Sequence, residues 1–109
     1  MEAKPKEIRH YITEDGKIPF QEWINSLKDM DAQNRINIRL NRLRLGLLGN
    51  TNCIAEGVHE LKVDYGPGYR VYFANEGDNI VILLCGGDKR TQKQDTKTAK
   101  LYWADYKKR

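Results

Sequence analysis

The residues with the greatest chemical reach lie between positions 60 and 92. Two stretches of alternating character, 58–65 and 69–75, flank the turn Gly66-Pro67-Gly68. A period of two marks both as strands, and the short turn makes them hairpin neighbours. Leu61, Val63, Val71 and Phe73 form the apolar set and are expected in the core. By parity Glu60, Lys62, Asp64, Arg70 and Tyr72 share the opposite face. Asp88, Lys89 and Arg90 leave the apolar run 80–85 and are expected at the end of that face. The reading predicts an open, concave, cationic surface.

Such a surface suits a phosphodiester. An arginine grips two phosphate oxygens through its planar fork, a lysine supplies a compact charge, and tyrosine rings stack on unpaired bases. Cleavage at a ribose needs one group to take the 2′-hydroxyl proton. A second must stabilise charge on the phosphoryl oxygens, and a third must protonate the leaving oxygen. Arg70 suits the second task and, staying protonated, is a poor base. Lys62 becomes a base if neighbouring cations depress its pKa. Tyr72 or Lys89 is the candidate acid. Solvated strand faces also carry lysine and arginine, so residue types alone do not decide.

Other chemistries find little support. By parity His10 lies with Ile8 and Ile12, and His59 with Leu61 and Val63, so both are expected at the edge of the core. No Ser/His/Asp set or paired carboxylates stand out, and Gly86-Gly87-Asp88-Lys89 is not a nucleotide-binding loop. Cys53 and Cys85 are too few for a disulfide framework and lack zinc-ligand spacing. Cys85 ends the most apolar run and is expected as a buried free thiol. Neither metal nor cofactor is expected.

The elements that must position these groups follow from periodicity. A strand is predicted over 6–13, then a turn at Asp15-Gly16. Pro19 opens a helix whose apolar face is Phe20, Trp23, Ile24 and Leu27. Asp31 is the expected N-cap of a longer helix with Ile36, Leu40, Leu43 and Leu47 as its buried stripe. Arg35, Arg39 and Arg42 form a cationic stripe beside it, and Arg44 adds a fourth charge. The connection is short, which predicts an antiparallel helical hairpin. Residues 80–85 suit a central strand buried on both faces. A last helix is predicted from about Gln92 to Lys107, with Ala99, Tyr102, Trp103 and Tyr106 on one face. The order is strand, two helices, three strands, helix. This predicts an α+β fold in a single domain, 1–109, with a small antiparallel sheet and helices packed on one face.

The charge pattern adds a class of partner. The chain carries a net charge of +4, with 31% charged residues. Beyond the arginine stripe, the tail places Lys89, Arg90, Lys93, Lys97, Lys100, Lys107, Lys108 and Arg109 against Asp88, Asp95 and Asp105. Cations clustered on two helices favour a polyanion such as ribosomal RNA, with Arg35, Arg39, Arg42, Arg44 and Lys93 as contact candidates. The N-terminus lacks an apolar leader run and no stretch has the length of a membrane span. A cytoplasmic location and no membrane partner are expected.

These residues resemble a known family. Glu60-Leu61-Lys62 and Gly66-Pro67-Gly68-Tyr69-Arg70-Val71-Tyr72-Phe73 look like the central hairpin of RelE/ParE-superfamily toxins. The stretch Ile82-Leu83-Leu84-Cys85-Gly86-Gly87-Asp88-Lys89-Arg90-Thr91-Gln92, with Asp95 and Ala99, resembles the HigB-like "addiction module killer protein" branch, which includes phage-derived relatives. Phe20-Gln21-Glu22-Trp23 and Tyr102-Trp103-Ala104-Asp105-Tyr106 fit the same branch. The resemblance implies a RelE-like fold and a toxin that cleaves mRNA on the ribosome and inhibits translation without a metal. It implies a cognate antitoxin, of the helix-turn-helix, HigA-like kind. Arg70 matches a phosphate-contacting arginine, Lys62 a lysine of the preceding strand, and Lys89 or Arg90 a basic residue after the last strand. The family's Tyr or His near the C-terminus has no clear counterpart, since Tyr102 and Tyr106 fall on the apolar helical face. The superfamily also holds ParE-like inhibitors of DNA gyrase and relatives that only bind an antitoxin.

Overall fold

The computed structural model describes residues 4–55 and 57–109. Met1–Ala3, the start of the N-terminal segment expected to carry no leader run, lie outside the described residues. The elements are β1 (Glu7–His10), α1 (Pro19–Ser26), α2 (Met30–Arg44), β2 (Thr51–Ala55), β3 (Val58–Val63), β4 (Tyr69–Glu76), β5 (Ile80–Asp88) and α3 (Gln92–Lys108). A 3₁₀ turn, Lys89–Thr91, joins β5 to α3. The strands form one sheet in the order β1-β5-β4-β3-β2.

The α+β class and the flanking helices are as expected, and the architecture is compatible with a RelE-like fold. Three features differ from the sequence reading. First, the sheet is mixed: β2 to β5 are antiparallel neighbours, but β1 pairs parallel to β5, with Glu7 opposite Ile80. Second, Thr51–Ala55 is a strand that weak alternation concealed. Third, the helices cover both faces rather than one.

The two faces can be read from the burial. Phe20 and Ile24 of α1 and Ala32, Ile36, Leu40 and Leu43 of α2 pack on Leu61, Val63, Val71, Phe73, Val81 and Leu83. Ala99 and Trp103 of α3 pack on Val58, Tyr72, Ala74, Ile82 and Leu84 from the other side. The run 80–85 is therefore sandwiched, as its unbroken apolarity predicted. A register shift opposite Tyr72 and Phe73 pairs them with Cys85 and Leu83, which leaves Leu84 as the extra residue.

Local chemistry sets the helix ends. Asp29, not Asp31, caps α2, its carboxylate accepting from the amides of Asp31 and Ala32 at 2.9 and 3.2 Å. Such a cap contributes about 1 kcal/mol. Asp31 sits instead in the first turn, where its charge favours the helix dipole. Gln33 joins the two helices by donating to the carbonyls of Ile24 and Leu27 at the end of α1. The buried stripe of α2 ends at Leu43; Leu47 lies past the helix and is exposed.

Gly86 and Gly87 owe their place to crowding. A Cβ on Gly86 would lie inside the Trp23 indole of α1. One on Gly87 would overlap the Asp95 carboxylate of α3. The pair lets a helix approach the strand closely on each face.

Candidate functional site: a cationic mouth at the β3–β4 hairpin

Sheet register brings the candidate groups together. Lys62 and Arg70 are directly opposed across β3 and β4, and Arg70 is opposed to Gly87 on β5. Lys89 follows β5 and comes round to Gly68: an ideal Cβ on that glycine would be 3.8 Å from both the Lys89 Cβ and the Arg70 Nη1. A cavity of about 120 Å³ opens here, lined by Asn50, Lys62, Val63, Asp64, Gly68, Tyr69 and Arg70. The turn glycines hold it open, Gly66 and Gly68 both having positive φ.

The face carrying these groups is not open, as parity alone suggested. Alternation placed Glu60, Lys62, Arg70 and Tyr72 together correctly, but α3 covers most of that face. Glu60 is 2% exposed, Arg70 9% and Tyr72 0%. Only the end of the face, at Lys62 and the tip of Arg70, reaches solvent. Burial and the neighbouring Glu60 charge push the Tyr72 phenol well above its ordinary range. Its hydroxyl is closed off from solvent near Thr96 without a well-formed hydrogen bond, while the Thr96 hydroxyl donates to the Gln92 carbonyl at 2.9 Å.

Glu60 and Gln92 enter the site unannounced. The Glu60 carboxylate lies 3.5 Å from the Arg70 Nε and accepts from the Gln92 amide at 3.0 Å. Arg70 also donates from Nη1 to the Gly68 carbonyl at 3.3 Å. The parity of Glu60 with Tyr72 and Arg70 was available in the sequence; the approach of Gln92 was not.

The remaining cations divide. Arg35 stacks 4.4 Å over the Tyr65 ring, whose hydroxyl donates to Asp29. Arg35, Arg39 and Arg42 line a groove of about 280 Å³ with Ile38, Val63, Asp64 and Tyr65. That groove has Val63 and Asp64 in common with the lining of the Lys62–Arg70 cavity, so the two are neighbours. Arg39 is a structural clamp rather than a free surface charge. It donates to the Lys62 carbonyl at 2.8 Å, its Nη2 is closed off against Gly49, and burial lowers its pKa. Arg44 stands apart, lining a separate cleft with Ile8, His10 and Asn41. Arg90 is exposed and paired with Asp88 at 3.0 Å, and Lys93 lies exposed on α3. Among the described residues no group of three His, Cys, Asp or Glu side chains could hold a metal ion. Among the described residues no helix is long and apolar enough to cross a membrane.

These features define a small α+β protein with a small cavity beside Lys62, Arg70 and Lys89 where its central hairpin meets the last strand. The chain belongs to the family described as Phage derived protein Gp49-like (DUF891), whose profile matches residues 22–107, from α1 to the end of α3. It is also 46% identical over 84 residues to a protein of Haemophilus influenzae described as an uncharacterized protein, a match covering 77% of this chain and 85% of that one.

Proposed function

We propose that this chain is the toxin of a type II toxin–antitoxin pair of RelE/HigB kind, and that it cleaves mRNA held in the ribosome. The observation that carries the reading is the opposition of Lys62 and Arg70 at a solvent-open cavity beside Lys89. Phosphate transfer needs charge stabilisation more than covalent help. Arg70 supplies it, Lys62 takes the 2′-hydroxyl proton and Lys89 protonates the leaving oxygen. Arg90, engaged by Asp88, shapes the approach to Lys89. Tyr72 has no exposed surface and has no part in the reaction. The neighbouring groove of Arg35 and Arg42 extends the cationic surface toward ribosomal RNA. The partner that silences it is a helix-turn-helix antitoxin whose acidic side chains cover the mouth.

The test is induction in bacteria with translation, mRNA 5′ ends and DNA supercoiling followed together. Translation arrest with new mRNA ends is the expected result. Loss of supercoiling with intact mRNA would replace the reading by gyrase inhibition. Removing a charge-stabilising donor costs about 100- to 1000-fold in rate. Because Arg70 is buried against Glu60, Arg70→Ala also strands a carboxylate, so Arg70→Lys is the cleaner variant. It keeps the charge and loses the fork. Full activity of Arg70→Lys together with Lys62→Met would sink the assignment.

A further inference from the structure

We propose that Glu60, held by Gln92, is the positioning residue that presents Arg70 to the phosphate. The inference rests on the nuclease reading above and deepens it. Glu60 does not touch solvent and cannot meet a substrate. Its carboxylate lies behind the guanidinium, 3.5 Å from Nε. That nitrogen is closed off from solvent and lacks a well-aligned hydrogen bond. Nη1 is engaged by the Gly68 carbonyl. The guanidinium is thus bonded through Nη1 and drawn by charge at Nε, both from the protein side, which restricts its plane. Nη2 has no acceptor among the described residues and, unlike Nε, is not among the atoms closed off from solvent. It is the edge left for a ligand in the cavity lined by Lys62 and Gly68.

A buried ion pair is a weak source of stability, since desolvation offsets the attraction. What the pair does provide is orientation. Gln92, the first residue of α3, fixes the Glu60 carboxylate by donating to it at 3.0 Å. The chain Gln92–Glu60–Arg70 therefore ties the last helix to the reacting edge of the arginine. It also keeps Arg70 from turning into solvent, where its grip on phosphate would be diluted by conformational freedom.

The experiment uses the full chain with programmed ribosomes, and measures kcat and KM for cleavage beside the ¹⁵Nε–Hε resonance of Arg70. Glu60→Gln removes the charge, Glu60→Asp restores it at shorter reach, and Gln92→Leu frees the carboxylate without touching the ion pair. A misplaced catalytic group loses up to about 100-fold in rate. The expected result is a fall in kcat with little change in KM for Glu60→Gln. Gln92→Leu should fall less, and Glu60→Asp should recover part of the loss. In each weakened variant the Arg70 Nε–Hε signal should shift and exchange faster with water. Unchanged kcat in a folded Glu60→Gln protein would overturn the inference, as would a kcat loss with an unmoved Arg70 signal. If Glu60→Gln does not fold, Gln92→Leu decides by the same two readouts. Absence of cleavage by the wild-type chain would instead remove the nuclease reading itself, and full activity of Arg70→Lys with Lys62→Met would remove the assignment of Arg70, which separates these failures from that of Glu60.

Discussion

The two cysteines show how much environment decides for one residue type. Cys85 lies under α3, and burial pushes its thiol up to about 12. Cys53 is exposed on β2. Thiolate, not thiol, reacts with alkylating reagents. Native protein should therefore label once per chain, at Cys53, and denatured protein twice, as mass spectrometry would show. Rapid native labelling of Cys85 would mean that α3 opens readily. The histidines carry a pH dependence of known sign. His10 stacks on Phe20 and His59 on Phe73, and burial lowers both imidazoles from 6.5. As the pH falls past that value the unfolded chain takes up these protons first, so folding is weakened. Tm should drop between about pH 7 and about pH 5, and a His10→Gln, His59→Gln variant should show a flatter profile over that window. Residue by residue, the sorting of side chains to one sheet face or the other was legible, because period two is a local property. That Tyr72 and Glu60 would be covered was not, because their cover arrives from residues 92–108.

At the scale of elements, the close contacts of β5 carry the clearest expectation. Gly86→Ala drives a methyl group into the Trp23 ring, and Gly87→Ala drives one into the Asp95 carboxylate. Overpacking of this kind costs about 1–3 kcal/mol. Gly86→Ala should lower the urea midpoint while leaving α3 in place, whereas Gly77→Ala, with nothing near its Cβ, should show only the strain of its positive φ. Equal midpoints for Gly86→Ala and wild type would show that α1 yields freely. The long helices and the hairpin were readable from their periods. β2 was not: Asn52 and Cys53 are exposed, and an edge strand with polar residues lacks the alternation of a half-buried one. Nor could local pattern show that β1 would dock parallel to β5, a pairing set by packing between distant residues.

For the molecule as a whole, the decisive feature is that the hairpin mouth and the α2 groove are neighbours. The sequence placed these cations on separate elements, and only the fold brings them together on either side of Val63 and Asp64. Arg35 and Arg42 should then contribute to a salt-dependent encounter with RNA. Replacing both with Gln should lower the salt slope of ribosome binding by about one unit per lost phosphate contact. Arg39 is excluded from that variant because its loss would remove the bond between α2 and the Lys62 carbonyl and so disturb the site itself. An unchanged slope would mark the groove as a solvated face.

The parallel pairing of β1 with β5 has a consequence for the order of synthesis. Residues 7–10 leave the ribosome early, yet their strand partners are residues 80–83. Arg70 likewise finds its neighbour Gly87, and Glu60 its anchor Gln92, only in the last quarter of the chain. The β1 end of the sheet therefore waits on the final segment, whereas β2, β3 and β4 can pair before it, and non-local pairing of the first kind closes slowly. A nascent chain halted before residue 80 holds two helices and a hairpin but lacks the strand that β1 and β4 both need. The cationic mouth is assembled only once residues 80–92 have been made, and products terminated before them should lack it.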